Sequence, residues 1–577
     1  MEKNMLKRLN KYIAAMSPLF IFSVLSAQLQ VSYSIDLLTD STPISPYIYG
    51  TNKDFDPAVN WTAFRQGGNR LTGYNWENNA SNAGKDWHHV SDNYLAGIAG
   101  ISDSSAPGKV TTTFLDDALE KNAYSIVTLQ MAGYAARDKK GPVSAEQSAP
   151  SERWAEVVFT KSETFSLKPD QDDNYVYMDE YVNFLINRYG LANTGKGVKA
   201  YSLDNEPALW SETHPRIHPD KVLCSELIKR SIALSKAVKN VDSHAEIYGP
   251  ALYGFNAFLS LQDAPDWLAE KNSAGYDWFI DYYLDKMKMA ENEAGFRLLD
   301  VLDLHWYSEA RGDNRITENF AGTHKDALAR VQAPRTLWDP DYQENSWICE
   351  NYKSYLPLIP RVQASINKYY PGTRIAFAEI NYGGGNHISG AIAIADMLGI
   401  MAKYQVYLAA LWPLSDQNAF HSAAYKMYRN YDGKNSAFGD LYVSYSSGDI
   451  ENSSLYVSCM TGQTQLNLVV INKSFDQFIN GSFSLNAADT IVSGEVWRLD
   501  SLSSAISKVD PVKDIDGNTF RYKIPAASVC HIILKLKSGS GVIKTRKEKS
   551  FGGAKLENRL NQFNPFFKII FSSNDQG

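Results

Sequence analysis

The sequence predicts an α/β protein that combines a TIM-like (β/α)8 barrel with a C-terminal all-β sandwich. From about residue 45 to 422, short apolar runs alternate with longer amphipathic stretches. Strand and helix units repeated over this length are typical of a parallel sheet closed into a barrel. After about residue 423, short alternating segments are separated by Gly, Asn and Asp, a pattern that is typical of a sandwich.

Six apolar runs and two amphipathic helices support the barrel. The predicted strands are Ser125–Met131, Val198–Leu203, Ala245–Tyr248, Leu299–Leu304, Arg374–Ala378 and Val406–Leu411. The predicted helices are Val176–Arg188 and Lys221–Lys239, in which apolar residues recur at spacings of three and four. No GxGxxG motif follows a strand, so nothing in the sequence supports a dinucleotide-binding fold.

The sandwich is predicted over residues 423–537, with an additional strand from the N-terminal segment 28–44. Leu29–Leu38 in that segment alternates apolar and polar residues in the same way as the C-terminal strands. Those strands are predicted at Ser454–Met460, Gln465–Asn472, Gly481–Leu485, Gly494–Leu499, Thr519–Ile524 and Val529–Leu536. The barrel then occupies residues 45–422, and residues 538–577 form a basic tail.

The N-terminus has the order of regions found in a secretory signal peptide. Four basic residues precede an apolar run, Ile13–Leu25, and the small residues Ser26 and Ala27 follow it. We therefore predict cleavage near Ser26 to Gln28, which makes residues 1–27 a signal peptide. The mature protein is then secreted, extracellular or periplasmic, with no membrane attachment. The alternative is an uncleaved anchor, although the run is short for a membrane span.

Charge and composition favour a neutral substrate. The formal charge is −7, to which the signal segment contributes +3 and the tail +4, so the part between them is strongly acidic. This balance argues against nucleic acid as a partner, because phosphate backbones require clustered cations. The chain contains 12 Trp and 34 Tyr, residue types that stack on sugar rings.

The four cysteines do not form a metal-binding or disulfide framework. Cys224, Cys349, Cys459 and Cys530 are widely spaced and include no CxxC pair. One disulfide, between Cys459 and Cys530 of the predicted sandwich, is left open.

Two glutamates at strand ends are the candidate catalytic residues. Glu206 follows the strand Val198–Leu203 and precedes Pro207, while Glu379 ends the strand Arg374–Ala378. The carboxyl ends of barrel strands share one face, where such barrels build active sites. Cleavage of a glycosidic bond needs two carboxyl groups that flank it, one protonated and one ionised. The alternative for each glutamate is a surface or salt-bridged carboxylate.

Both glutamates lie in long segments that resemble glycoside hydrolase family 44, the endoglucanases and xyloglucanases. The similar segments are WENNASNAGKDW (76–87), AYSLDNEPALWSETHPRIHP (200–219), LLDVLDLHWYSEARG (298–312), QAPRTLWDPDYQENSWI (332–348), IAFAEINYGGGNHISGAIA (375–393) and YKMYRNYDGKNSAFGD (425–440). The resemblance covers about residues 30–537.

The resemblance implies a TIM-like barrel with a β-sandwich and a retaining mechanism. It assigns Glu206 as the general acid/base, Glu379 as the nucleophile and Asn205 as the donor to the sugar 2-hydroxyl. We expect a monomeric, secreted endo-β-1,4-glucanase that hydrolyses cellulose-like glucans or xyloglucan and needs no organic cofactor. The alternatives are the same mechanism on mannan or xylan, and a glycan-binding protein that has lost catalysis.

The strand that precedes residue 305 contributes two further candidates. His305 and Tyr307 share the inward face by the period of two, whereas Trp306 should point outward to the helices. We expect Tyr307 to donate a hydrogen bond that keeps Glu379 ionised. His305 is either a neighbour that tunes the site or a core histidine.

Four tryptophans in loops or at strand ends are the predicted platforms for sugar rings. They are Trp76, Trp87, Trp347 and Trp412. For Trp210, packing and binding are equally compatible with its position. Similar sequences have an aromatic residue where this chain has Asn351, which leaves one sugar subsite in doubt.

Family relatives carry structural metal ions, so the acidic loop 170–173 is a candidate calcium site. Asp170 and Asp173 would supply the hard oxygen ligands that Ca²⁺ prefers. The alternative is a solvated turn.

Overall fold

The structure, a computed structural model, describes residues 28–39, 41–318, 322–460 and 464–537. The predicted signal peptide and the basic tail lie outside these residues. None of the helices in the described part of the chain has both the length and the apolar character that crossing a bilayer requires.

Eight parallel strands close into a barrel, which confirms the predicted fold class. In chain order, the first to eighth barrel strands are Gly50–Thr51, Ala63–Gln66, Tyr124–Leu129, Ala200–Leu203, Glu246–Leu252, Val301–Tyr307, Arg374–Asn381 and Leu408–Leu411. The eighth strand pairs with the first, so the sheet has no free edge. Almost all residues of these strands are buried, as expected for a sheet covered by helices.

The first two barrel strands were not predicted. They contain two and four residues, too few to show a periodic pattern. Backbone pairing on both sides still holds them in the barrel, because Gly50 pairs with Ala410 and with Ala63.

Helices surround the barrel and connect its strands. They are Tyr94–Ile98, Lys109–Glu120, Met178–Tyr189, Trp210–Thr213, Cys224–Val241, Phe255–Ser260, Trp267–Ala274, Phe279–Ala294, His324–Gln332, Trp347–Tyr352, Leu358–Tyr369, Ile388–Lys403 and Ala419–Arg429. The two helices predicted from periodicity correspond to Met178–Tyr189 and Cys224–Val241. Ile388–Lys403 is buried almost throughout, because it packs between the barrel and the sandwich.

The loops after the second and third barrel strands carry two small sheets at one end of the barrel. Their strands are Ser81–Asn82, Val90–Asp92 and Gly141–Pro142 in one sheet, and Tyr134–Ala136, Trp154–Val158 and Tyr175–Tyr177 in the other.

Ten strands form the second domain, and their hydrogen bonds join them in one continuous network. The strands are Gln28–Asp36, Thr42–Pro43, Leu441–Ser447, Ser453–Cys459, Gln465–Asn472, Phe478–Asn486, Ile491–Asp500, Ser503–Val509, Thr519–Ile524 and Ser528–Leu536. The first half of Leu441–Ser447 pairs with Ser453–Cys459, and its second half pairs with the N-terminal strand. The sandwich therefore has two layers that are continuous through this strand.

The N-terminal strand Gln28–Asp36 lies inside this network. It pairs in parallel with Phe478–Asn486 and antiparallel with Leu441–Ser447. Val31, Tyr33 and Ile35 are buried in the sandwich core, as the alternation of the sequence predicts.

The predicted domain boundary between residues 422 and 423 is wrong, because it falls within the helix Ala419–Arg429. This helix packs on Ile388–Lys403 and also contacts three sandwich strands. Its residues Tyr425 and Tyr428 are fully buried, so the helix belongs to the barrel side and the sandwich begins at Leu441.

Candidate active site

Glu206 is held at the carboxyl end of the fourth barrel strand by an unusual backbone. Asp204 and Glu206 both have positive φ angles, of 62° and 48°, and Pro207 follows directly. L-residues adopt this conformation only when the surroundings impose it. The carboxylate of Asp204 imposes it here, because it accepts four hydrogen bonds, of 2.6–3.0 Å, from Thr72 Oγ1 and three backbone N–H groups.

Glu379 lies near the end of the seventh barrel strand and is almost completely buried. Its neighbouring strands both show a register irregularity beside it. Arg65 Nη1 donates to Oε1 at 2.7 Å, and Tyr307 Oη donates to Oε2 at 2.6 Å. The hydrogen bond predicted from Tyr307 is therefore present, and both carboxylate oxygens have a donor.

Glu206 and Glu379 face each other across His305. One carboxyl oxygen of each glutamate and one ring nitrogen of His305 all lie within 4.8 Å of one another. The Nδ1 atom of His305 lies 2.8 Å from Glu206 Oε1 and 3.6 Å from Glu379 Oε2. Only Glu206 is partly exposed, with 20% of its side chain accessible against 5% for Glu379.

Glu379 is stabilised in its ionised form despite its burial. Burial by itself raises the pKa of this carboxyl group, since a charge in the protein interior loses its hydration. The positive charges of His305 and Arg65 and the hydrogen bond from Tyr307 outweigh that effect and hold the pKa below its ordinary value. An ionised carboxylate is one of the two states that glycosidic cleavage requires.

His305 is fully buried and belongs to the site. Burial lowers the pKa of its imidazole, but the negative charges of Glu379 and Glu206 outweigh burial and raise it. The structure thus supports a neighbour that tunes the two glutamates over an ordinary core histidine. Trp306, predicted to point outward to the helices, is 1% exposed and is nevertheless one of the residues that line the cleft beside Glu206.

Arg65 is a site residue that the sequence did not reveal. It lies on the second barrel strand and is fully buried. Besides Glu379, its guanidinium donates to the Asn205 side-chain oxygen at 2.8 Å and to Asn52 Oδ1 at 3.2 Å. The signal that could have located it is a charged residue between apolar ones in AFRQ, but the strand itself was too short to recognise.

The side chain of Asn205 is held in one orientation. Its side-chain oxygen accepts hydrogen bonds from Arg65 and from the backbone N–H of Gly68. Because the oxygen is engaged in this way, the amide NH₂ is the part that can donate to a sugar hydroxyl.

A cleft of about 450 Å³ opens beside Glu206. Phe255, Tyr253 and Trp347 form an aromatic part of its lining. Trp347 packs edge-on against Phe255, with ring centroids 5.9 Å apart. Asn351 lies on the same helix, is exposed, and donates back to the Trp347 carbonyl at 2.8 Å, so it adds no ring surface to the cleft.

The other predicted platforms differ in position. Trp412 follows the eighth strand, and its ring lies against Gly68, beside Asn205. Trp87 is 63% exposed on a turn that Asp86 ties to Asn69 after the second strand.

For Trp76 the prediction of a sugar platform is wrong. Its ring is fully buried and stacks on Tyr181 at 5.1 Å. Trp210 is also fully buried, which favours packing over binding.

The acidic loop is built differently from the pair formed by Glu206 and Glu379. Asp170 and Asp173 each accept a backbone N–H two residues ahead, as in an ordinary turn. Among the described residues, they form no group of three potential ligands as compact as that around His305. Glu77 and Glu180 lie nearby, and burial together with Asp173, Glu180 and Asp170 raises the pKa of Glu77 to about 8.

All four cysteines are buried free thiols. Cys459 and Cys530 occupy different positions along the sheet, opposite Leu466 and Val470 respectively, so the disulfide left open by the sequence is not formed.

Comparison with known proteins agrees with this geometry. The sequence model of glycoside hydrolase family 44 matches residues 80–310. Endoglucanase A of Paenibacillus lautus is 54% identical over 551 residues, which are 95% of this chain and 78% of that protein. The chain belongs to glycoside hydrolase family 44. Being a member of this family, it is a glycoside hydrolase that acts on glucans.

Two further relatives extend the comparison. The solved xyloglucanase of Paenibacillus polymyxa, from family 44, has 52% identity and a TM-score of 0.86, over 88% of this chain and 100% of that one. The β-mannanase/endoglucanase A of Caldicellulosiruptor saccharolyticus is 50% identical over 86% of this chain, but the match spans only 38% of that protein. Glu206 and Glu379 of this family 44 hydrolase therefore lie in a fold that it shares with a solved relative over 88% of the chain.

Proposed function

We propose that the protein is a secreted, retaining endo-β-1,4-glucanase that cleaves xyloglucan or cellulose-like glucans. The observation that carries the mechanism is the approach of the two carboxyl groups to within 4.8 Å. Retaining glycosidases hold theirs about 5–5.5 Å apart, whereas inverting enzymes leave about 6.5–9.5 Å for a water molecule.

The proposed reaction has two steps. In the first, Glu379 attacks the anomeric carbon while Glu206 gives its proton to the leaving glycosidic oxygen. In the second, Glu206 takes a proton from water, and the water oxygen displaces Glu379 from the sugar. Asn205 donates to the 2-hydroxyl, and Arg65 and Tyr307 hold the carboxylate of Glu379 in position.

Replacement of the nucleophile tests this mechanism. Glu379→Gln should lower kcat at least about 10⁴-fold, because removal of a catalytic nucleophile leaves only binding and electrostatic effects. Xyloglucan binding and the thermal unfolding temperature should change little. Glu120→Gln, at an exposed helix end, is the control and should keep full activity.

The stereochemistry of the first product provides an independent test. Proton NMR during hydrolysis should show the β-anomer first, before mutarotation. An α-anomer formed first, or near-normal turnover in Glu379→Gln, would refute the two-step assignment.

Reducing-end release from xyloglucan, carboxymethylcellulose, mannan and xylan measures the substrate preference. Xyloglucan is the expected favourite, because a xyloglucanase that is 52% identical aligns over its full length and has been solved with xyloglucan. A family 44 endoglucanase that is 53% identical also aligns over its full length, so cellulose-like glucan stays in the proposal. Mannan is the second candidate, since another relative is named both β-mannanase and endoglucanase. Highest reducing-end release on mannan would replace the first proposal by the second.

We further propose a calcium ion at Glu77, Asp170 and Asp173. Glu77 is 3% exposed, and Glu180 Oε2 is buried without a hydrogen-bond partner, so the site contains more negative charge than nearby Lys161 neutralises. Oxygen ligands of this kind suit Ca²⁺.

Calcium should raise the melting temperature, and more at pH 8 than at pH 5. The pKa of Glu77 is raised, so its ionisation destabilises the fold as the pH rises towards about 8, and an ion would remove that cost. Thermal unfolding in calcium and in chelator measures the effect. Glu77→Gln should abolish it, and equal melting temperatures in the wild type would contradict the site.

We also propose that the protein is secreted and that it is a monomer. The N-terminal residue of protein from the culture medium should lie near Gln28, where the first described strand begins. Light scattering should give the mass of one chain.

A further inference from the structure

The alternation of the seventh barrel strand is reversed just before Glu379. Ala376 and Ala378 belong to a buried cluster that takes residues from the second to the eighth barrel strand, and this cluster therefore lies inside the barrel. Successive side chains of a regular strand point to opposite faces, so Glu379 would point outward to the helices. Glu379 instead bonds to Arg65 and Tyr307 on the inside.

The register of the strand identifies Ala378 as one extra residue. Two consecutive residues of the sixth strand pair with Phe377 and Glu379, so Ala378 is skipped. The partners of Phe377 and Ile380 in the eighth strand are only two residues apart, so the seventh strand again has one residue too many. A β-bulge of this kind changes the direction of the neighbouring side chain. The bulge at Ala378 therefore turns Glu379 towards the centre of the barrel.

Two side chains from other strands and loops bond to the backbone of Ala378. Asn52 Nδ2 donates to its carbonyl at 2.8 Å, and its N–H donates to Asp303 Oδ1 at 3.2 Å. Asn52 comes directly after the first barrel strand and is partly buried. Because a bulge disrupts the regular ladder, contacts of this kind satisfy the peptide groups of the bulged residue and hold it in place.

Asn52 also contacts the residue that donates to Glu379. Its Oδ1 accepts from Arg65 Nη1 at 3.2 Å, and the same Nη1 donates to Glu379 Oε1 at 2.7 Å. These contacts define the orientation of the amide, because a flipped amide would place its NH₂ against the guanidinium and its oxygen against the Ala378 carbonyl. The backbone N–H of Asn52 donates to the Leu411 carbonyl at 3.0 Å, which holds the turn on the eighth strand.

We propose that Asn52 is a positioning residue for the nucleophile. Its amide holds both the bulge at Ala378 and the guanidinium of Arg65, so the carboxylate of Glu379 meets the anomeric carbon at the distance and angle that attack requires. An error of about 1 Å in such a geometry costs about 10²-fold in rate. This inference rests on the proposed function, because it takes Glu379 as the nucleophile.

Asn52→Ala removes both contacts of the amide. The kcat on xyloglucan should fall about 10²-fold while KM stays within about threefold, because both ends of the amide are engaged by the protein. The matched control is Asn472→Ala, since the Asn472 amide is also buried and donates to three backbone carbonyls, but in the sandwich. It should keep the wild-type kcat. Near-normal kcat in Asn52→Ala, or an equal loss in Asn472→Ala, would overturn the inference.

An aryl substrate separates an effect on Glu379 from an effect on Glu206. The leaving group of dinitrophenyl β-cellotrioside departs without a proton, so the first step no longer needs the acid but still needs the nucleophile. The kcat/KM of Asn52→Ala, which reports that step, should therefore remain about 10²-fold below the wild type. Glu206→Gln should recover most of the activity that it loses on xyloglucan. A similar recovery in Asn52→Ala would overturn the inference.

Circular dichroism and the thermal unfolding temperature establish whether each variant is folded. Asn52→Ser, whose hydroxyl is too short to reach Ala378, tests the same contact if Asn52→Ala does not fold, and it should show the same losses. Wild-type kcat in Asn52→Ser would overturn the inference. Activity in Glu379→Gln would instead refute the two-glutamate mechanism, whatever the result at Asn52.

Discussion

Arg65 and Tyr307 bind opposite oxygens of Glu379, one at Oε1 and the other at Oε2. The guanidinium also fixes Asn205, so a single residue positions both the proposed nucleophile and the side chain that we propose contacts the sugar 2-hydroxyl. Because all of these atoms are buried, their interactions are little screened by water.

Arg65→Met should raise the pKa of Glu379 and move the acidic limb of the pH profile of kcat/KM to higher pH. The Arg65 charge helps to lower this pKa, second to the charge of His305, so its removal favours the protonated, inactive nucleophile. Activity at pH 5 should fall more than activity at pH 7. Arg70→Met is the control, since Arg70 pairs with Asp92 away from the two glutamates. An unchanged acidic limb in Arg65→Met would contradict the assigned role.

The site residues at the ends of long strands could be predicted from the sequence, whereas Arg65, on a strand of four residues, could not. Glu206, Glu379 and Tyr307 could be predicted because each follows a recognisable apolar run. Arg65 could not, since the two adjacent strands that place it contain two and four residues. Trp76 was assigned to the cleft because its segment reads as a loop, and only the tertiary structure shows that the loop folds back over Tyr181.

At the scale of elements, the N-terminal strand Gln28–Asp36 is part of the sandwich, although most of the other sandwich strands lie beyond residue 440. Its alternation made it predictable as a strand, but the sequence could not give its place between Leu441–Ser447 and Phe478–Asn486. Which distant strands pair with each other depends on tertiary packing, and the local sequence pattern of a strand does not contain that information. The continuity of the two layers was unpredictable for the same reason.

Tyr33→Ala should destabilise the protein by about 3–5 kcal/mol, as is usual for large-to-small changes of buried aromatic residues. Tyr33 is 1% exposed and stacks on Phe483 at 4.6 Å. Gln30→Ala, on the exposed face of the same strand, should change stability by less than about 0.5 kcal/mol. Chemical denaturation followed by tryptophan fluorescence gives both values. Equal effects of the two substitutions would show that the strand does not contribute its inner face to the core.

At the scale of the whole molecule, the barrel and the sandwich are joined through a buried ion pair. Lys473 of the sandwich lies 2.8 Å from Asp396 on the helix Ile388–Lys403, with both side chains 1% exposed. Tyr456 Oη donates to the other oxygen of Asp396 at 2.7 Å. Charges are rarely buried at a domain interface unless they are paired, so this contact holds the two domains in one arrangement.

Lys473→Met should cost about 3–5 kcal/mol, because it leaves the Asp396 charge buried without its partner. The double variant Lys473→Met, Asp396→Leu should recover most of that loss. Calorimetry measures both, and it also shows whether the barrel and the sandwich unfold in one transition. A double variant as unstable as the single one would assign the effect to packing instead of charge.

The N-terminal strand also constrains the order in which the chain can reach its native state. Gln28 bonds to Asn480, 452 residues later in the sequence. At a translation rate of about 5–20 residues per second, roughly 20 to 90 seconds separate the synthesis of the two partners. Until Phe478–Asn486 has been synthesised, the N-terminal strand lacks its parallel partner. The sandwich can therefore fold only after most of the chain has left the ribosome.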